Sequence, residues 1–550
     1  AAFLALGHAR AAGNPAALVC TSGTAVANYL PAVIEASSDF IPMVVLSADR
    51  PPELHQTGAN QTIEQAGIFG ESCRRRFVIP CPDEKIQPEF VLTTIDQAVY
   101  GAINVPAGPV HLNLEYREPL APNVESAVSP VYVAPLEGWS HSDRPFTRYT
   151  APDLTVSITE IESLAARLKS AERGLLVIGR LAQWGNQRSA VAGLARALGW
   201  PVIADIGSGL RLGVSDGVHL LPHADPALLD DKGEVNLQCV LQIGGGLVSR
   251  RVTEYIGRQT GCEYILVNDH PFRQDPGHRV TSRFECDIES FARSLTAALK
   301  ISERSKGTSR LEAANDAVAK LISETLDKSD TLSEITVPRV VAQELPAGQG
   351  LWLASSMPIR DFDMLAPTGQ HSPRVGCNRG ASGIDGTVAS ACGFARGLNQ
   401  PTTVVVGDLA LLHDLNSLAL VTDSKQPPMT IVVINNGGGG IFSLLPVARL
   451  DTKVTGPLFD RDSDTFEREV IEPLFLTTHE YRFAQAASMF GLGYGNPSTV
   501  AEFRREYRAS VSGKRSTLIE LTFDWRESRR VRREMNDRIV ALLARLSSHA

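Results

Sequence analysis

Apolar and polar positions alternate along this chain in blocks of two kinds, short β-branched runs and longer stretches with helical spacing. Thr403–Val406 is an apolar run ending in Gly407-Asp408, short enough for a buried strand of a parallel sheet. Leu411, Leu412, Leu415, Leu418 and Ala419 follow at helical spacing, Pro427-Pro428 breaks the chain, and a second run, Thr430–Ile434, delivers Asn435-Asn436 and Gly437–Gly440. The same alternation predicts a helix over 1–12, closed by Gly13-Asn14-Pro15, then strands over 16–20, 41–47 and 108–114, and a helix over 25–36 entered through Thr21-Ser22-Gly23-Thr24. Further on, a helix over 157–170 accompanies strands at 174–179, 201–204, 239–243 and 264–267. Strands at 350–354, 403–407, 430–434 and 517–522 go with helices at 387–397, 483–490 and 526–546. The pattern predicts an α/β protein of three doubly wound parallel-sheet domains, at 1–120, 153–300 and 346–550. A Pro- and Ser-rich linker over 121–152 and a polar helical linker over 301–345 separate them, and a charged insert over 447–470 reads as a loop.

Parallel strands place their carboxyl ends on one edge of the sheet, where ligands bind. Asp408 brings a carboxylate oxygen to that edge, and Asn435 or Asn436 an amide oxygen from the next strand. Oxygen-only donors suit Mg²⁺, which keeps positions open for phosphate oxygens and water. The glycines at 437–440 let the backbone approach a ligand, and N–H groups in such a turn favour anions. The stretch therefore reads as a magnesium–diphosphate site, although Gly-Asp is also a common helix cap and Asn-Asn-Gly a common turn. Two other strand ends carry polar clusters. Arg50, within Asp49-Arg50-Pro51-Pro52-Glu53-Leu54, could pair with a carboxylate beside Gln61, or be a surface arginine on a rigid turn. Arg250-Arg251, after Gly244–Gly246, could receive a carboxylate or start a solvated helix. The triple glycine does not meet the dinucleotide pattern, so a structural central domain is the better reading. Ser356 and Arg360 are four apart, on one face of a predicted helix start. The run Arg74-Arg75-Arg76 reads as a solvated face without a function.

Composition narrows the partners. The chain has 550 residues, 43% hydrophobic and 21% charged, as a soluble globular protein does. A formal net charge of −8 argues against a nucleic-acid partner, and no apolar run reaches the length of a membrane span. The eight cysteines form no C-x-x-C pair, which favours a reduced compartment over disulfides or zinc.

Gly-Asp-Leu at 407–409, followed by Asn436 28 residues after Asp408, resembles the motif of thiamine-diphosphate-dependent enzymes, with Leu409 where glycine is usual. The strings SADRPPEL, TGANQTI and NRGASGIDG are similar to those of one family within that superfamily, MenD, the 2-succinyl-5-enolpyruvyl-6-hydroxy-3-cyclohexene-1-carboxylate synthases of menaquinone and phylloquinone biosynthesis. The resemblance spans nearly the whole chain. It implies a pyrimidine-binding first domain, a Rossmann-like central domain and a diphosphate-binding third domain. It also implies a transferase that decarboxylates 2-oxoglutarate and adds the resulting succinyl carbanion equivalent in 1,4 fashion to isochorismate.

The resemblance further assigns residues. Asp408, Asn436 and the Gly438 carbonyl would hold Mg²⁺ (or Mn²⁺), the choice of Asn436 over Asn435 coming from the family pattern. Ile384 would hold thiamine diphosphate bent, and Leu409, Ile441, Phe442 and Leu445 would border it. Arg50, Gln61, Arg250, Arg251, Ser356, Arg360 and Arg379 would bind the two carboxylate substrates. Arg50, Gln61, Arg379 and Ile384 would take part in catalysis. A homodimer or homotetramer is implied, with each site shared between subunits, in the cytoplasm of a bacterium or the plastid of a photosynthetic eukaryote. The family's activating glutamate lies just before the helix that opens this sequence, so the expectation is a chain that starts after it and turns over poorly. Two rival expectations are an acetolactate-synthase-like carboligase, which would carry flavin, and an inactive scaffold.

Overall fold

The structure, a computed structural model, describes residues 1–121, 129–213, 217–230, 236–299, 309–369, 371–445, 453–454, 466–467 and 474–548. The 447–470 insert lies almost wholly outside the described residues, as do the linker segments 122–128 and 301–308. Among the described residues, no helix is long and apolar enough to cross a membrane.

Three parallel sheets carry the chain. The first holds β1 (Ala16–Cys20), β2 (Met43–Asp49), β3 (Arg75–Ile79) and β4 (Pro109–Glu115) in the order β1-β2-β4-β3, beside helices α1 (Ala2–Ala12) and α2 (Leu30–Ser38). The helix predicted over 25–36 is broken: a single turn, Thr24–Ala27, ends at Asn28, and α2 begins with Pro31 in its first turn. Proline has no N–H to continue the preceding turn but fits the start of a new one. The Arg74–Arg76 run is also different from its solvated reading. It leads into β3, which was not predicted, and Arg74 is half-buried, donating from Nε to the Pro106 carbonyl (2.9 Å) and from Nη2 to the Ser37 carbonyl (2.7 Å).

His111 on β4 is buried, with Nε2 2.7 Å from Ser47 Oγ and its ring edge-on to Phe69. Burial pushes its pKa down from 6.5 to about 4. The unfolded chain therefore binds a proton in that interval that the folded chain refuses, so this contribution to stability is complete above pH 6.5 and is lost as pH falls towards 4. His111→Gln is expected to flatten the fall in urea-unfolding stability across that window; an unchanged slope would exclude His111 as a contributor.

The middle sheet holds β5 (Gly174–Ile178), β6 (Val202–Ala204), β7 (Cys239–Ile243), β8 (Glu263–Asn268) and β9 (Ser282–Glu285) in the order β6-β5-β7-β8-β9, with helix α3 (Arg250–Arg258) after β7. In the third, β10 (Gly350–Leu353), β11 (Arg374–Gly376), β12 (Thr402–Gly407), β13 (Met429–Asn435), β14 (Gly493–Gly495) and β15 (Thr517–Thr522) run in the order β11-β10-β12-β13-β15-β14. Its helices include α4 (Met357–Leu365), α5 (Thr387–Leu398), α6 (Asp408–His413) and α7 (Trp525–Ser548). The strands β12 and β13 are buried apolar runs with Val404, Val405, Ile431 and Val432 fully out of water, as a sheet covered on both faces requires. The helix Val337–Glu344, within the stretch read as a linker, contributes Val337, Val340 and Val341 to this core.

Two features set the site. The third sheet changes direction between β10 and β12, so the carboxyl ends of these strands open a crevice at the switch point. The first and third domains are also clamped together by α1 crossing α5. A Cβ on Gly7 would lie 1.8 Å from the Ser390 carbonyl oxygen and one on Gly393 1.9 Å from that of Leu4, so the two backbones meet where neither helix carries a side chain.

Candidate active site

At the carboxyl end of β12, Asp408 is buried, 3% exposed, and opens α6. Its Oδ1 accepts from the Leu409 N–H (2.7 Å), and its Oδ2 accepts from the N–H groups of Asn436 (3.1 Å) and Gly438 (3.0 Å) at the end of β13. Burial raises its pKa, and the Leu409 and Gly438 N–H groups pull it back. Gly438 has φ +149°, and a Cβ there would lie 2.5 Å from the Leu476 carbonyl oxygen, so this turn admits only glycine.

The two asparagines are not equivalent. Asn435 is fully buried and saturated: Nδ2 donates to Glu520 Oε1 (2.7 Å) and the Tyr481 carbonyl (3.0 Å), while Oδ1 accepts from the Gly437 N–H (3.2 Å). Asn436 donates from Nδ2 to Glu334 Oε1 (2.9 Å), and its Oδ1 is buried without a hydrogen-bond partner. A buried amide oxygen left unpaired beside a buried carboxylate is costly unless something positive meets it. The residues therefore fit a hard divalent cation with oxygen ligands, with Asp408 and Asn436 supplying side-chain oxygens.

The carboxyl ends of β10 and β11, in the same sheet, lead into further cations, and a hydrophobic turn follows β13. Ser356 caps α4 with φ +74°, and its carbonyl accepts from Arg360 Nη1 (2.6 Å). Burial lowers the Arg360 pKa, and the neighbouring Arg379 guanidinium lowers it further. Arg379 lines a cavity of about 230 Å³ with Arg180, Asp205 and Gln274, at the switch point of the middle sheet. Ile384 is 36% exposed, and Gly440–Leu444 forms a 3₁₀ turn in which Phe442 packs 5.7 Å from Phe475. Leu445 is 41% exposed, so it is not a core leucine.

Arg50 and Gln61 lie together on the first domain. Arg50 Nε donates to the Asn60 carbonyl (3.2 Å), and Gln61 is exposed with φ +57°. Among the described residues, no hydrogen bond joins either to Asp408, Asn436 or Arg379. At the start of α3, Arg250 is exposed and pairs with Glu254 (2.6 Å), whereas Arg251 is held by Asp225.

Comparison with known proteins decides the family. Residues 1–68 match the family model for the N-terminal TPP-binding domain of thiamine pyrophosphate enzymes, and residues 130–353 match the model for the thiamine pyrophosphate middle domain. Proteins named 2-succinyl-5-enolpyruvyl-6-hydroxy-3-cyclohexene-1-carboxylate synthase align along nearly the whole chain. That of Rubrobacter xylanophilus is 45% identical over 97% of this chain and 88% of its own length. Those of Salinibacter ruber and Chlorobaculum tepidum are 39% and 38% identical over 99% and 98% of this chain, each across 88% of its own length. The chain belongs to this synthase family. The fold agrees. An X-ray structure described as a thiamin diphosphate-dependent enzyme from Mycobacterium smegmatis superposes with a TM-score of 0.66, covering 95% of this chain and 90% of its own, at 16% identity.

Three residues of this synthase chain escaped the sequence reading. His479 sits with Nε2 3.4 Å from Asp408 Oδ2, both side chains buried, and Nδ1 accepts from the Tyr481 N–H (3.2 Å). With Nδ1 an acceptor, the proton of the neutral ring is on Nε2 and faces the carboxylate. Gln65 links three strand ends of the first domain, accepting from the Gly23 N–H (3.0 Å) and donating to the Ala48 carbonyl and Asn113 (both 2.8 Å). Glu334 holds the Asn436 amide. Nothing near His479 in sequence marks it; only the loop 476–479, folded over Gly437–Gly439, brings it to Asp408.

Proposed function

We propose that this chain is the transferase its family name describes, joining 2-oxoglutarate to isochorismate with loss of CO₂. The observation that carries the reading is the pairing of Asp408 with an unpartnered Asn436 oxygen at the carboxyl ends of β12 and β13, in a chain 45% identical to a named synthase. Thiamine diphosphate, when bound, supplies the electron sink for decarboxylation. The chain's own residues bind and orient. Asp408, Asn436 and the Gly438 carbonyl would hold Mg²⁺. The N–H groups of Gly437–Gly440 are taken by Asn435 Oδ1, Asp408 Oδ2 and the Leu476 and Gly438 carbonyls, so the glycine turn gives close approach of the backbone rather than the free anion donors expected from the sequence. Ile384, Leu409, Ile441, Phe442 and Leu445 border the cofactor. Both substrates are carboxylates, so guanidinium groups fix their register: Arg360 and Arg379, with Ser356, on the third domain; Arg250 and Arg251 on the middle domain; Arg50 and Gln61 on the first. A homodimer or a homotetramer, with Arg50 and Gln61 of the first domain completing a site shared between copies, is part of this reading.

Calorimetric titration of thiamine diphosphate is expected to show binding in Mg²⁺ and none in excess chelator. Release of CO₂ from 2-oxoglutarate, with product formed only when isochorismate is present, completes the assignment. Binding indifferent to chelator would remove the Asp408–Asn436 reading, and CO₂ release without isochorismate-dependent product would remove the acceptor.

A further inference from the structure

An asparagine serves a cation only if its amide points the right way, since Oδ1 coordinates and Nδ2 repels. Asn436 Nδ2 donates to Glu334 Oε1 (2.9 Å), leaving Oδ1 as the atom without a partner. A carboxylate can only accept, so this bond fixes the orientation. Glu334 is 4% exposed, and its other oxygen accepts from Arg532 Nη2 (2.8 Å) on α7. Arg532 is itself forked onto Asp361 on α4, with both bonds at 2.6 Å. Burial alone would raise the Glu334 pKa, but the Arg532 charge and the hydrogen bonds to it outweigh burial and keep it low. A continuous buried network thus runs from α4, the helix that follows Ser356 and bears Arg360, through the C-terminal helix to Asn436.

We propose that Glu334 is a positioning residue for the metal, locking the Asn436 amide with its oxygen towards the cation, and that Arg532 holds Glu334 for this task. The inference rests on the metal-site reading above. It also explains the placing of three buried charged groups, which would be a poor choice for stability alone.

Glu334→Gln tests it with almost no change of shape. Arg532 only donates, so it takes the Gln oxygen, and the Gln NH₂ then faces Asn436. The Asn436 amide turns over to accept from it and presents Nδ2 to the cation. Mn²⁺ affinity, read by electron paramagnetic resonance with excess thiamine diphosphate, is expected to fall about 10- to 100-fold, with far-UV circular dichroism unchanged. Adding Asn436→Asp is expected to restore affinity, because Asp accepts from the Gln NH₂ with one oxygen and ligates with the other. A merely structural Glu334 would give no such rescue. Parental Mn²⁺ affinity in E334Q, or no recovery in E334Q/N436D, would overturn the proposal. D408A separates the two layers: if D408A loses Mn²⁺ while E334Q keeps it, only the positioning role fails; if D408A keeps it, the metal site itself is elsewhere.

Discussion

Asp408→Ala is expected to make thiamine diphosphate binding in Mg²⁺ equal to that in chelator, and to lower carboligation at least about 10³-fold, the equivalent of several kcal/mol of charge stabilisation. The residue does two things. Its Oδ2 gathers the Asn436 and Gly438 N–H groups, which sets the turn, and its carboxylate is the one anionic oxygen donor among the proposed ligands. Asp408→Asn separates them: it keeps the size and one acceptor but loses the charge, so the turn should survive while metal binding fails. Mg²⁺-dependent binding that persists in both variants would show that another group holds the cation.

Glu35→Ala is expected to give the largest loss of stability, about 3–5 kcal/mol in urea unfolding. Glu35 on α2 is buried, and its carboxylate accepts from the N–H groups of Gly380 (2.8 Å), Ala381 (2.6 Å) and Ser382 (3.3 Å) on the third domain. Arg10 lies 3.6 Å away on α1 and also pairs with Asp39, which in turn meets Arg180 of the middle domain. Removing the carboxylate leaves three N–H groups of the loop without their acceptor and weakens the pairing of a buried guanidinium. The loop it grips carries Arg379 and leads to Ile384, so KM for the carboxylate substrates should rise together with the loss of stability. Glu35→Gln, which keeps one accepting oxygen, should cost less. A midpoint within about 0.5 kcal/mol of the parent in E35A would show that the loop is held by other contacts.

What the sequence determined is what local physics determines. Strands β12 and β13 were legible because both are short continuous apolar runs, and a strand buried on both faces needs no alternation. Their ends were legible because Gly-Asp and Asn-Asn-Gly stop such runs, and parallel topology then places both at one edge of the sheet. Short strands without that signal were missed: β9, β11 and β14 are three or four residues long, and β3 opens with two exposed arginines. The tertiary structure distinguishes Asn435 from Asn436, which the residues alone left open and for which only the family pattern favoured Asn436. In sequence they are adjacent and identical; in space Glu520 and Tyr481 use up the first, while Glu334 takes only the NH₂ of the second. It also decided the places of His479 and Glu35, the latter 345 residues from its partner Gly380. Pattern and spacing report the backbone a segment prefers, whereas the pairing of a buried polar atom depends on whatever distant element packing brings within 3 Å of it, and no local period encodes that.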